Sequence, residues 1–518
     1  MTTTRAFSRG AVATPHYLAS LAGAEILAAG GNAVDAVVAA NLALGVVAPY
    51  YCGVGGDLLA MVWDGTLHGY RSTGRSPAAT SLQMLRDAGH QTMPYAGAHT
   101  VTVPGAVRGW FDLLERFGSM SFDRLARRAV ELARDGFVLT RPGAFRLRGA
   151  IGLVGALGVD DAALRSTYHD VGVGATVRQG ALGELLCALG LDGPEAFYTG
   201  SVADAICAAI ARHGGSMDVT DLAAHEAAWV DPLYTSFAGH DVAELPPPTQ
   251  GVSALEMLAL AERFDMRTDS VDRAHLLVEI AKVALADRDA HVGDPDAMRI
   301  APERLLDAEW ITHRAADIDE FRSAAFPVQP RADGGTAYLC AADRDGLYVS
   351  LIQSNFTAIG SGVHVPEFGI NLHNRGAAFT LAPDTPNTFG PRKLPLHTLI
   401  PAMVLREGRP SHVYGTMGGH AQAQIHLQVL TRLLRDGSDL HAAVAAPRWA
   451  YDPGSGELQM EDRFDPTWRR ELEQRGHSIR GLRAFDDGVG HSHVIAIASD
   501  GALSVAADPR AESAALGH

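Results

Sequence analysis

Residues 17–29 carry an Ala- and Leu-rich helical run that stops at Gly30-Gly31, a pair that tolerates the left-handed backbone of a helix end. Asn32 then stands where it can cap a second apolar run, 33–47, which Asp35 and Asn41 interrupt and which falls short of the roughly 20 residues of a membrane span. Beyond Gly53-Val54-Gly55-Gly56-Asp57, the run 58–63 predicts a buried strand turning at Asp64-Gly65. Stretches 110–116 and 125–134 space their apolar residues as amphipathic helices with polar faces, and 272–289 reads the same way. The Pro-rich string 245–251 cannot lie inside a helix or a central strand and predicts a fixed loop. Residues 323–335 read as a Pro- and Gly-bearing linker. From Thr336 the pattern changes to short runs, 337–342 and 347–353, separated by Asp345-Gly346, which predicts a β-hairpin. Helices and strands mix without strict alternation, so an α+β layered fold is expected rather than a Rossmann fold.

Composition narrows the class. A chain of 518 residues, 47% hydrophobic and 20% charged, buries a large core, and length alone suggests two to four domains. The net charge of −16 leaves no basic stripe for a phosphate backbone, so nucleic acid is not an expected partner. Lysine occurs only at 282 and 393, so a small anion would have to be met by local arginines. Four scattered cysteines form no C-x-x-C pair and fit a reducing compartment. Residues 1–15 lack an apolar signal core and no membrane span is found, so a soluble cytoplasmic protein without a membrane partner is expected.

Most catalytic motifs fail on inspection. Gly53-Val54-Gly55 lacks the third glycine of a dinucleotide fingerprint, because position 58 is leucine; no P-loop and no G-x-S-x-G elbow is present. His225-Glu226 lacks the second histidine of a zinc motif, and His491-Ser492-His493 has no companion acidic or Cys ligands and reads as a structural pair. No metal and no cofactor are expected. What survives is Thr336 directly after Gly334-Gly335. Cutting the bond before it would free an α-amine, of ordinary pKa about 7.7–8.0, to serve as base for the threonine hydroxyl.

Many ordered segments give that threonine a context: Gly30 to Ala36, Thr102 to Val107, Ala133 to Phe137, the 246–251 loop, Gln353-Ser354-Asn355, Asn374-Arg375-Gly376, Gly415 to Gly419 and Ala507 to Arg510. Through them the whole chain resembles the γ-glutamyltransferase family of N-terminal-nucleophile hydrolases. The resemblance implies a four-layer αββα sandwich made as one precursor. Self-cleavage between Gly335 and Thr336 would leave a large subunit, 1–335, and a small one, 336–518, associated in one fold. It also implies Thr336 as nucleophile, Ser354 as a second hydroxyl bonded to it, and the N–H groups of Gly418 and Gly419 as the oxyanion site.

The substrate side departs from the family pattern. The acidic residue that holds a glutamyl α-amine is replaced by Ala378, its neighbouring amide by Arg375, and an expected asparagine by Phe356 with Asn355 adjacent. His397-Thr398 stand for paired serines. Aligned on Pro77, the carboxylate-binding arginine falls on Thr73, so Arg75, favoured, or Arg71 must substitute. A site that recognises an acid group without an α-ammonium is expected, as in an oxamate-type amidohydrolase or a dicarboxyl acylase. The rivals are a glutathione or γ-glutamyl-peptide transferase and a non-catalytic binding descendant. Whether the processed pair dimerises is not set by the sequence.

Overall fold

The computed structural model describes residues 3–159, 161–266, 269–326 and 335–518, so most of the expected linker lies outside the described residues. Two seven-stranded antiparallel sheets stack face to face. In order across the first lie Ala514–Gly517, Gly10–Thr14, Ala337–Asp343, Tyr348–Ser354, Asp57–Trp63, Leu67–Ser72 and Ala228–Val230. The second runs Arg5–Phe7, Leu503–Ala507, Ser492–Ile497, Arg409–Thr416, Ala402–Arg406, His240–Glu244 and Leu233–Phe237. Both sheets interleave strands from before and after residue 335.

Alternation along the strands builds three apolar layers. Tyr338, Cys340, Ile352, Leu59, Met61, Val413 and Ile495 point between the sheets. Ala337, Leu339, Leu351, Leu58 and Ala60 point outward onto helices Tyr17–Ala28 and Ala33–Val47. Val242, Val404, Tyr414 and Val494 point outward from the other sheet onto Gly251–Ala261, Val271–His291 and Gln422–Leu430. The result is the αββα sandwich.

Local signals set several of these elements. The first helix ends at Ala28 before Gly30, whose φ is +89°. Asn32 and Asp35 form a reciprocal capping box at the start of Ala33–Val47. That helix is buried along its whole length, its Asp35 held by Ser119 and its Asn41 by Trp110 Nε1 at 2.6 Å. No described helix is long and apolar enough to cross a membrane.

One expectation fails. Helix Val271–His291 is not amphipathic: Arg273, His275, Glu279, Lys282 and Arg288 are all buried. Their partners explain how, since Lys282 pairs with Glu279 at 2.7 Å, Arg273 with Asp436 at 2.8 Å, and Arg288 Nη1 donates to Gln250 at 2.9 Å.

Candidate active site

Strand register lines up the chemistry. Ala337 pairs with Gln353, and Ser354 with Asp57, so Thr336, Ser354 and Asp57 form a row facing the space between the sheets. Arg71, opposite Leu59, faces the same space. Glycines let the backbone close around this row. A Cβ on Gly56 would sit 2.4 Å from Ser354 O, and one on Gly55 2.2 Å from Asn371 O. Gln353 holds Gly53 at both its N–H and its C=O, at 3.0 and 2.8 Å. Asn355 donates its backbone N–H to Tyr51 O and its Nδ2 to Pro49 O, tying the strand end to the 49–56 loop.

Thr336 and Ser354 are fully buried. Ser354 Oγ donates to Gly335 O at 2.8 Å and accepts the N–H of Phe356 at 2.7 Å, while Thr336 Oγ1 lies 3.1 Å away. A hydroxyl has one proton, and Ser354 spends it on Gly335, so the Thr336 hydroxyl is the donor to Ser354. Phe356 reaches this geometry at a φ of +72°, a costly conformation for a bulky residue and one that concentrates at functional sites.

Beside the row, Asp57 Oδ2 accepts from His397 Nε2 at 2.9 Å, with His373 Nδ1 at 3.3 Å and Arg375 Nε at 3.8 Å. Burial works to raise the Asp57 carboxyl, but His373 and His397 overcome it and hold it well below the usual range. Burial, reinforced by Arg375, pushes His397 down to about 3, so it is a neutral ring donating through Nε2. Burial also lowers Arg375 to about 9, against the pull of Asp57. The Arg375 guanidinium lies 4.0 Å over the Phe356 ring and donates Nη1 to Thr398 Oγ1 at 3.1 Å. Its Nε and Nη2 have no hydrogen-bond acceptor.

Gln250 joins this group to the glycine pair, donating Nε2 to both Thr398 O and Gly419 O at 3.0 Å. Gly418 and Gly419 take φ of +145° and +54°, and neither N–H donates to an acceptor among the described residues.

The structure therefore gathers Thr336, Ser354, Asn355, Arg375, His397, Thr398 and Gly419 into one connected network, with Arg71 facing it. Arg75 is set apart: its side chain is 45% exposed and already paired with Asp294 at 3.4 Å and Asp296 at 3.1 Å. Arg71 carries a buried Nη1 without an acceptor. Sequence reasoning missed Asp57, His373 and Gln250. The signal available for Asp57 was its place at the end of a glycine run where a buried strand begins.

The sequence profile of the gamma-glutamyltranspeptidase family matches residues 19–518. The chain belongs to that family. Within it, the chain is 34% identical to an oxamate amidohydrolase proenzyme of Klebsiella pneumoniae, over 99% of each chain. It is 33% identical to a glutathione hydrolase-like YwrD proenzyme of Bacillus subtilis, over 98% of each. Among solved structures, the cephalosporin acylase of Bacillus halodurans superposes with a TM-score of 0.95 at 33% identity, covering 100% of this chain and 97% of that one. Both sequence relatives thus match the chain over nearly its whole length, and the solved acylase shares its layers.

Proposed function

We propose that the chain is a self-processing threonine amidohydrolase acting on amides of small acidic acyl groups. The observation that carries this is the chain of hydrogen bonds from Thr336 Oγ1 through Ser354 Oγ to Gly335 O. In the uncut chain Ser354 polarises the carbonyl of the bond to be cut and accepts from the hydroxyl that attacks it. Attack of Thr336 Oγ on the Gly335 carbonyl carbon, with transfer of the acyl group from N to O, gives an ester. Water then cleaves it to a Gly335 carboxylate and a free Thr336 amine. The two subunits are 1–335 and 336–518, and they remain one fold because both sheets interleave their strands.

In turnover, the freed amine takes the Thr336 hydroxyl proton, Oγ attacks the substrate carbonyl, and the leaving amine departs with that proton. The unoccupied N–H groups of Gly418 and Gly419 are suited to the oxyanion. The substrate's second acid group meets Arg375, whose two unpaired donors match a carboxylate, together with Arg71. We leave Arg75 out of the clamp because two aspartates hold it. Ala378 offers no charge to an α-ammonium. The oxamate amidohydrolase and acylase names of relatives support this substrate class.

One observation favours a γ-glutamyl substrate instead: Asp57 Oδ1 is buried without a partner and is a carboxylate oxygen that could receive an ammonium. A substrate panel decides. The proposal expects release of amine from oxamate or glutaryl amides and little from γ-glutamyl-p-nitroanilide; comparable rates on both would reject the acid-only preference. The four cysteines are unpaired, which supports the reading of a reducing, cytoplasmic location.

A further inference from the structure

The wall facing Thr336 belongs to the other sheet, and it holds His491 and His493. Gly415 has no side chain, and the Tyr338 ring packs on its Cα, so that a Cβ there would come within 2.2 Å of the ring. His493, which pairs with Gly415 across the strands, stacks on the same Tyr338 ring with centroids 6.2 Å apart. One two-residue step toward the site end turns Tyr338 into Thr336 on one wall and His493 into His491 on the other. His491 keeps the facing of His493, its ring stacked 5.9 Å away. Its backbone C=O accepts the Met417 N–H, fixing it beside the Gly418-Gly419 turn. Its ring also meets Tyr51 edge-on at 5.2 Å, and the neighbouring Tyr50 C=O lies 3.0 Å from the position a Cβ on Gly335 would occupy.

These two rings are fully buried, yet none of their four nitrogens has a hydrogen-bond partner, and the Tyr51 hydroxyl has none either. Buried polar atoms left unpaired are costly, so a cluster of them is a place for a small polar guest. Water is the guest that fits a neutral imidazole, which offers one donor and one acceptor. Burial holds both rings well toward the neutral form, His493 down to about 4.

We propose that His491 positions the water molecule that resolves the acyl-enzyme on Thr336. The inference rests on the proposed role of Thr336. The water's oxygen bonds to the acyl carbon, one of its protons passes to the Thr336 amine, and its other O–H is held by a ring nitrogen of His491. Collapse breaks the bond from the acyl carbon to Thr336 Oγ, which recovers the proton from the amine. The His491 proton count does not change, so it is a positioning residue that decides how fast water, rather than an amine, takes the acyl group.

The test compares processed wild type with His491→Leu and with His491→Asn, which restores a polar atom. Amine release in the first turnover, steady-state turnover, and the intact mass of the small subunit are measured on a cleavable acidic amide. In His491→Leu the first turnover is expected at the wild-type rate, steady-state turnover at least 10-fold slower, and an acyl adduct on the small subunit. Added hydroxylamine should restore turnover, and His491→Asn should recover most of it. If Leu but not Asn blocks self-cleavage, the Asn variant carries the same reading with a smaller slowing. Loss of first and later turnovers in equal measure, no adduct, or failure of both variants to self-cleave would overturn the proposal. A small subunit that does not begin at Thr336, or an adduct on a residue other than Thr336, would instead reject Thr336 as the nucleophile.

Discussion

Two buried ionic clusters show how this fold separates support from chemistry. Near the chain's end, Asp508 and Glu461 face Arg448 and Arg510: Asp508 accepts Arg448 Nη2 at 2.6 Å, and Glu461 accepts Arg510 Nε and Nη2 at 3.0 and 2.8 Å. Each Arg510 nitrogen has an acceptor. In the Asp57 cluster one carboxylate faces Arg375, His373 and His397, and it leaves Asp57 Oδ1 and Arg375 Nε and Nη2 unpaired. In the first cluster Arg448 Nε alone lacks a partner; the second holds several unused groups beside the Thr336 row. A buried ion group whose carboxylates are all paired without a ligand serves stability, whereas one that leaves a carboxylate oxygen and two guanidinium nitrogens unpaired has room to receive something.

Breaking the Asp508 cluster should cost most. Asp508→Asn leaves buried guanidinium charge uncompensated and is expected to lower stability by about 3–5 kcal/mol, read by denaturant unfolding, with little change in activity per folded molecule. Arg375→Met should do the reverse, lowering kcat/KM on an acidic amide about 100-fold while the melting temperature stays close to wild type. A matching loss of stability and activity in both variants would erase the distinction.

Acid sharpens it further. His397 titrates near 3 when folded, against about 6.5 unfolded, so its contribution is present above pH 6.5 and is lost as pH falls, because the unfolded chain takes the proton first. Between pH 7 and 5 that loss is about 1–2 kcal/mol, and His397→Gln should fall less steeply than wild type over this range. The smallest effect belongs to Arg75→Ala. Its half-exposed guanidinium, paired with buried Asp294 and exposed Asp296, predicts a stability change of about 1 kcal/mol and no change in substrate preference.

The link of Thr336 to Ser354 came through the family resemblance, but much of the frame was readable from local signals: the helix end at Gly30, the Asn32 cap and the hairpin at Asp345-Gly346. Each depends on neighbours in the chain. The Asp57 cluster was not readable, because residues 57, 373, 375 and 397 meet only through strand register and a loop held by Gln250. Helix Val271–His291 misled for a related reason. Its charged residues look like a solvent face, but part of what pairs with them comes from the Asp436 carboxylate and the Gln250 amide, outside the helix. Aligned on Pro77 the arginine position falls on Thr73 and Arg75 was favoured as the substitute, yet Asp294 and Asp296 claim it.

The central claim is that Thr336 is freed by the chain itself and then acts as nucleophile. It is tested most directly by the intact mass and N-terminal sequence of the purified protein and of Thr336→Ala. Wild type should yield pieces of 335 and 183 residues, about 35 and about 19 kDa by share of the 54.8 kDa chain, the smaller beginning at Thr336. Thr336→Ala should stay a single inactive chain. A wild type that remains uncut after long incubation, or a cut at another bond, would contradict the account.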